Sequence, residues 1–355
     1  MEFPTDSSKY HVEIECNGGV GEYQPVKISS VNGVDTYENK FTIKNIEKDG
    51  VTCNIDFITI NDSNKTNYML SDVVQEEATQ LTTTNNAGGS DISYRYSGKN
   101  PNNYIRFNNE MWRIIGLIPV CLTESCGTPT TKLVKIIRND SIGGYSYDAS
   151  STSTASLKGA WGENTLYKLL NEFYYGRLDG TSNPTGQAYC YGHYNLTYNP
   201  VHDCNFEVTG ISNKETDYYG RMVKEVYWNT GASDRASTVS AIYKTETATQ
   251  TEFAHIGLMS ASDYGYAGTD YSNEMNSSTV ANNTTTNWLY KNESEWTSIQ
   301  NSSYTYNVLY VNYAGYLNIH SPAFGYGARP VVYLESDVYV ISGEGTKSSP
   351  YIIGM

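Results

Sequence analysis

The segment spanning residues 324–334, close to the C-terminus, constrains the fold more than any other part of the sequence. It reads FGYGARPVVYL, with two glycines and an arginine before a proline and a run of β-branched and aromatic residues. The glycines permit a tight turn, and the run after Pro330 has the composition of a buried strand. Arg329 lies at the start of that strand, where a buried guanidinium requires carboxylate or carbonyl partners. We therefore predict that Arg329 is a structural cross-link for the surrounding loops.

Charge and polarity exclude some functions. Of the 355 residues, 39% are hydrophobic and only 17% are charged, and the formal net charge is -14. Because nucleic-acid affinity rests on Lys and Arg that neutralise phosphates, this balance argues against nucleic-acid partners. The longest apolar run, residues 114–122, contains a proline and is too short to span a bilayer. A surface covered by Asn, Ser, Thr and Tyr resembles that of an exposed wall protein.

The six cysteines fall into three local pairs. These are Cys16 with Cys53, Cys121 with Cys126, and Cys190 with Cys204. Several connectivities are open to six cysteines, and we predict the one that joins these neighbours. Disulfides form in oxidising compartments, so we expect an extracellular, cell-surface protein. We also expect an export or anchor segment upstream of Met1, through which alone the protein meets a membrane.

Hydrophobic periodicity divides the chain into three regions. Residues 1–66 predict a small β domain, in which residues 41–43 pair with residues 51–57 across a turn. Residues 67–91 predict a connecting helix and a flexible linker. Residues 92–355 predict a mainly antiparallel sheet with two helices, one capped by Asn164 and one that starts from a capping box at Ser212. The predicted fold class is α+β.

Four segments of the third region carry a family resemblance. They are WRII at 112–115, the Trp161 helix with LLN at 169–171, LMS at 258–260, and GARPV at 327–331. In this order they resemble the C-type-lectin-like fold, and more narrowly the branch shared with sulfatase-modifying enzymes and with surface or prepilin-like proteins of Gram-positive gut bacteria. The resemblance implies a rigid sheet that presents ligand-binding loops.

The resemblance does not bring an enzymatic activity with it. A copper-dependent oxidase of the formylglycine-generating type needs a reactive cysteine pair late in the domain, and no cysteine follows Cys204. We expect Trp112 and Trp161 to lie in the core together with Arg329.

Two groups of residues have the chemistry of metal ligands, and each also has a structural interpretation. Cys190 and Cys204, with His193 and His202, can form a tetrahedral zinc site, but a disulfide suits an exported chain better. The expected sugar-binding triplets of a lectin calcium site are absent, so the acidic residues, among them Asp263 and Glu295, are read as a solvated face with calcium as the alternative and no other cofactor.

A hydrolase is also an alternative rather than the expectation. A Ser-His-Asp set can be drawn from Ser260 or Ser321, His255 or His320, and Asp263. No nucleophile-elbow pattern flanks either serine, so we do not expect an enzyme.

Tyrosine, with 33 residues, is the most distinctive component of the chain. Tyrosines in or beside predicted turns, which also include Tyr145, Tyr147, Tyr304 and Tyr306, suit stacking on sugars or anchoring a protein, and a scaffold role is equally open to them. The predicted ligand-binding aromatics are Tyr264, Tyr266, Tyr271, Tyr313, Tyr326, Trp288 and Trp296, of which the two tryptophans are equally open to a core role. The expected function is adhesion to a glycan or protein of a host or neighbouring cell. The alternatives are a self-assembling, pilin-like filament subunit and a hydrolase or zinc-dependent enzyme.

Overall fold

The protein is an α+β fold dominated by sheets. The structure, a computed structural model, describes residues 10–17, 20–31, 34–44, 46, 50–59, 68–148, 160–162, 164–175, 210–211, 218–269, 272–276 and 284–355. Within these ranges, none of the helices has both the length and the apolar character needed to cross a membrane.

The N-terminal part contains two antiparallel strand pairs. Strand β1 (Tyr10–Asn17) pairs with β4 (Thr52–Thr59), and β2 (Val20–Val31) pairs with β3 (Val34–Lys44). The predicted pairing of residues 41–43 with residues 51–57 is wrong, because alternation identifies a strand and its faces but not its partner. Cys16 and Cys53 lie directly opposite each other on β1 and β4 and form a disulfide.

The rest of the chain supplies further strands and short helices. In chain order the strands are β5 (Thr79–Thr84), β6 (Ser90–Arg95), β7 (Tyr104–Phe107), β8 (Glu110–Val120), β9 (Thr131–Arg138), β10 (Gly144–Ser146), β11 (Val223–Lys224), β12 (Val226–Trp228), β13 (Glu252–Ala254), β14 (Ile256–Gly257), β15 (Glu295–Gln300), β16 (Val308–Val311), β17 (Leu317–His320), β18 (Gly325–Gly327), β19 (Val331–Leu334), β20 (Tyr339–Ser342) and β21 (Tyr351–Gly354). The helices are α1 (Leu70–Glu77), α2 (Thr165–Lys168) with its π-helical continuation Leu169–Tyr174, α3 (Tyr218–Arg221), α4 (Val239–Glu246) and α5 (Ala261–Tyr266).

A ten-stranded sheet forms the main body. Its principal order is β11-β19-β9-β8-β7-β21-β20, with β14 also beside β19 and the β5–β6 hairpin joined to β8. Strands β7 and β8 are connected by Asn108 and Asn109, whose φ angles are 55° and 59°. Asparagine tolerates this left-handed conformation, which a tight hairpin turn requires. Trp112 on β8 and Trp161 lie in the core, 0% and 2% exposed.

A second sheet has five strands in the order β10-β18-β15-β16-β17. Strands β15, β16 and β17 are consecutive antiparallel neighbours joined by two short turns. The chain passes from this sheet to the ten-stranded one through residues 328–330, between β18 and β19. The two sheets are therefore linked by the segment that contains Arg329.

Three segments differ from their predicted conformation. Residues 79–81, expected in the helix, and residues 82–90, expected in a flexible linker, belong to the hairpin of β5 and β6. The helix predicted after Ser212 is limited, in the described part, to α3, because Val223 pairs with Leu334 and the chain continues as strands. Residues 262–266, expected in a loop, belong to α5. Strand pairing and helix capping decided these local outcomes, and neither is visible in hydrophobic spacing alone.

The two disulfides are expected to differ in their contribution to stability. Cys16–Cys53 closes a separation of 37 residues and Cys121–Cys126 one of 5. By loop-closure entropy the first is worth about 4 kcal/mol and the second about 2 kcal/mol. Native-state hydrogen exchange should show the larger loss of protection in β1 and β4 of C16A/C53A, with C121A/C126A as the matched control. Equal or reversed losses would contradict this ranking.

Candidate functional site

The side chain of Arg329 is buried in the segment that links the two sheets. It is 2% exposed, and its Nη2 donates to Glu295 Oε2 at 2.7 Å and to the Leu289 carbonyl at 2.7 Å. Its Nε lies 2.6 Å from Glu295 Oε1. Glu295 is the first residue of β15, so the guanidinium joins the crossing between the sheets to the strand that leads into the exposed turns.

The turn at residues 301–307, between β15 and β16, exposes two aromatic rings. Tyr304 and Tyr306 are 53% and 43% exposed, and their ring centroids are 6.3 Å apart in a T-shaped arrangement. Buried Asn301 accepts hydrogen bonds at Oδ1 from the backbone N–H groups of Ser303 and Tyr304, at 3.1 and 2.7 Å. The Asn301 N–H donates to the Asn307 carbonyl at 2.9 Å. The backbone is thus fixed while the rings face solvent.

The next turn, at residues 312–316 between β16 and β17, is built in the same way. Buried Asn312 accepts at Oδ1 from the Ala314 N–H at 2.5 Å, and its carbonyl accepts from the Gly315 N–H at 2.8 Å. Gly315 has a φ of +87°, which a residue with a Cβ rarely adopts. Tyr313 is 66% exposed. We call the turns at 301–307 and 312–316 the tyrosine turns.

The tyrosine turns lie at opposite ends of β16. This strand has 4 residues and therefore spans roughly 13 Å. All of its residues are buried, so its position is fixed by packing. The exposed rings accordingly form two contact points on one rigid support.

Two of the predicted binding residues are in the core instead of on an exposed loop. Tyr264 and Tyr266 are 0% and 4% exposed on α5. The expectation failed because Ser260 and Asp263 form a capping box, which starts a helix in a sequence that looks turn-like. Tyr264 donates to the Gly315 carbonyl at 2.8 Å, and so supports the second tyrosine turn from below.

The remaining predicted aromatics divide between core and surface. Trp288 and Trp296 are 4% and 1% exposed, and their indole N–H groups donate to the carbonyls of Tyr96 and Tyr145, each at 2.8 Å. These contacts give both tryptophans the core role. Tyr326 is half-buried and stacks on Tyr310, with centroids 4.4 Å apart. Tyr271 lies outside the described residues, so Tyr313 is the predicted residue that the structure places in solvent.

The candidate metal site lies outside the described part of the chain. Cys190, Cys204, His193 and His202 all belong to it, so the choice between disulfide and zinc stays a prediction. Over the ranges given above, no group of three or more His, Cys, Asp or Glu side chains is placed to hold a metal ion.

The two candidate hydrolase sets do not come together in the described residues. Ser260 Oγ accepts from the Asp263 N–H at 3.1 Å, and His255 stacks on Tyr175 at 4.2 Å. His320 Nδ1 and Ser321 Oγ are both buried without a hydrogen-bond partner, so they do not bond each other. In this part of the chain neither serine hydroxyl is therefore hydrogen-bonded to a histidine that could activate it.

Asp263, the acid of that set, is already occupied by two cations. Its carboxylate accepts from Arg95 at 2.8 Å and from Lys135 at 2.5 Å, and all three side chains are buried. Burial acts to raise the pKa of Asp263, but the charges of Lys135 and Arg95 outweigh it and hold the pKa well below its usual range. The expected solvated acidic face is therefore wrong at Asp263, which belongs to a structural ion network behind α5, and at Glu295, which is buried beside Arg329.

Glu246, on α4, lies beside that network. It accepts from the Ser262 N–H at 3.0 Å and from the Ser262 hydroxyl. Burial raises the pKa of Glu246 to about 7, and the charge of Asp263 adds to the effect, while the Ser262 hydrogen bonds oppose it. Ionising this carboxyl therefore works against the packing of α4 on α5.

Sequence reasoning missed the residues that fix the tyrosine turns. Asn301 and Asn312 each begin a turn in which the side-chain oxygen accepts a backbone N–H two residues on, at Ser303 and Ala314. An asparagine before a tyrosine-containing polar segment is a signal for such turns. The signal is weak here because asparagine is common throughout the sequence.

We expect Glu246→Gln to change the pH dependence of stability. The folded-state pKa, about 7, exceeds the ordinary value of 4.5, so the folded state disfavours the ionised form. The resulting penalty is absent below pH 4.5 and complete above about pH 7, and amounts to about 3 kcal/mol. Urea unfolding should therefore show that E246Q gains stability over the wild type as the pH rises through this window. A difference that stays constant with pH, or one reproduced by the exposed control E293Q, would refute the assignment.

Comparisons with known proteins do not assign this chain to a family. No protein-family model matches this sequence, no curated protein matches it, and no solved structure matches the fold.

Proposed function

We propose that this protein is an extracellular recognition module that binds a ligand through the tyrosine turns. The observation that carries the proposal is the combination of solvent-exposed rings, at Tyr304, Tyr306 and Tyr313, with backbones fixed by buried asparagines. A tyrosine offers a large contact area at low entropic cost, and a fixed backbone lowers the cost of binding further.

The composition of the turns favours a carbohydrate over an acidic or basic partner. Residues 301–307 read NSSYTYN and residues 312–316 read NYAGY, without a charged side chain. Tyrosine rings stack on the apolar faces of sugars, while amides and hydroxyls bond to sugar hydroxyl groups. A protein surface with few charges is the second class of ligand that this chemistry accepts.

The spacing of the turns favours an extended ligand. Rings at both ends of β16 are separated by at least the length of that strand, roughly 13 Å by its 4 residues. A single sugar cannot reach both ends, whereas an oligosaccharide chain can. We therefore favour a glycan polymer on a host or neighbouring cell.

The same proposal includes the cellular setting. The two disulfides fit an extracellular protein. Attachment to a cell surface through an upstream anchor, and the C-type-lectin-like architecture of residues 92–355, are the finer parts of the proposal. A sheet framework beneath exposed turns is the arrangement that such a binding module needs.

Loss of the exposed rings should weaken ligand binding strongly without affecting folding. On a glycan array, we expect Y304A/Y306A to weaken binding to the glycans that the wild type retains by about tenfold or more. Y313A should weaken binding to a similar extent, and N301A to a smaller extent because it loosens the turn but keeps both rings.

Tyr68, 50% exposed and located before α1, provides the matched control variant Y68A. Each of the tyrosine variants should keep the unfolding temperature of the wild type within a few degrees. If the array detects no glycan binding by the wild type, or if Y304A/Y306A binds as Y68A does, the tyrosine turns are not the recognition surface.

A further inference from the structure

A cavity of about 320 Å³ opens at the C-terminal end of α1, away from the tyrosine turns. Its wall includes Glu77, Ala78, Tyr96, Pro101 and Asn102. A volume of this size is at the lower end of small-molecule sites and holds a short aliphatic chain with a polar end group.

The carboxylate of Glu77 is fixed at this cavity by two tyrosines. Its Oε2 accepts from the Tyr96 hydroxyl at 3.1 Å and from the Tyr351 hydroxyl at 2.7 Å. The two tyrosines are 5% and 3% exposed, whereas Glu77 itself is exposed. An ionised carboxylate accepts several hydrogen bonds, so this fixed group retains acceptor capacity on the solvent side.

The Glu77 carboxylate differs from the other charged groups near the cavity wall. In the part of the chain that the structure describes, no Lys, Arg or His forms an ion pair with it. Arg95 also contributes to the wall, and its guanidinium shares the Asp263 carboxylate with Lys135, so that buried cluster carries a net positive charge. Glu77 is thus the exposed charged group of the wall, whereas Arg95, and Arg113 at the Pro101 carbonyl, are buried behind it.

The phenol groups beside Glu77 are neutral hydrogen-bond donors. Burial raises the pKa of Tyr351 well above its usual value, and the hydrogen bond to Glu77 and the charges of Glu77 and Glu344 raise it further. Tyr351 consequently stays a neutral hydrogen-bond donor at physiological pH. Its hydroxyl orients the carboxylate and does not compensate its charge.

We propose that this cavity binds an alkylammonium group, a primary ammonium on an aliphatic stem, with Glu77 as its counter-ion. The ammonium N–H groups would donate to the Glu77 carboxylate, and the stem would contact Ala78 and Pro101. An anionic ligand is disfavoured next to the exposed Glu77 carboxylate, and a hard metal ion requires more oxygen ligands than one carboxylate supplies. The ligand is either a free amine or the lysine side chain of a polypeptide.

The test is a calorimetric titration of the full chain with three probes. The probes are pentylammonium, the neutral isostere 1-pentanol, and Nα-acetyl-lysine N-methylamide, which represents a protein side chain. The variants are Glu77→Gln, which removes the charge but keeps an acceptor, and Glu76→Gln, which changes the net charge equally at the adjacent exposed position.

We expect pentylammonium to bind the wild type and E76Q equally, and to bind E77Q about tenfold more weakly. Pentanol should not bind measurably. Stronger binding of the lysine derivative than of pentylammonium would support a protein ligand, and the reverse order would support a free amine. Equal binding to E77Q and wild type, equal binding of pentanol, or no binding of either amine would overturn the proposal. None of these outcomes depends on the tyrosine turns, so the two proposals fail separately.

Discussion

The ion pair between Arg329 and Glu295 is the interaction on which the rest of the structure depends. Removing two charges from water costs several kcal/mol for each ion, and only close, multiple contacts recover that cost. Here Nη2 donates to Glu295 Oε2 and to the Leu289 carbonyl, each at 2.7 Å, and Nε lies 2.6 Å from Oε1 outside hydrogen-bond geometry. The pair joins residues 328–330, where the chain leaves the five-stranded sheet, to the first residue of β15. It therefore ties the segment that leads into the ten-stranded sheet to the edge of β15, beside the backbone pairing of Glu295 with Gly327.

Two strands connect Glu295 to the exposed turns. Strand β15 leads into the turn at residues 301–307, and β16 leads into the turn at residues 312–316. Buried asparagines hold both turns, and Tyr264 on α5 supports the second one through the Gly315 carbonyl. Core aromatics position the backbone and surface aromatics remain free to contact a ligand. Tyrosine serves both purposes because its ring packs while its hydroxyl bonds to backbone or solvent.

The sequence predicted the features that depend on local chemistry. Arg329 was recognised as a cross-link because an arginine beside a buried strand needs partners, and the disulfides Cys16–Cys53 and Cys121–Cys126 formed between near neighbours. The helix at Ala261–Tyr266 was missed because its capping box, Ser260 with Asp263, precedes a tyrosine- and glycine-containing segment that looks like a turn. The cavity at Glu77 could not be predicted from the sequence, because Tyr96 and Tyr351 are distant in the chain and meet there only after folding.

Hydrogen exchange in Arg329→Met tests the central claim most directly. This change leaves Glu295 buried without its cation, which costs about 3–5 kcal/mol, and R329M/E295M should recover part of that loss. The account predicts that amides of β15, β16 and both tyrosine turns exchange faster in R329M, while β8 and β9 of the ten-stranded sheet keep more of their protection. Unchanged exchange at residues 295–320, or an equal loss of protection in both sheets, would contradict it.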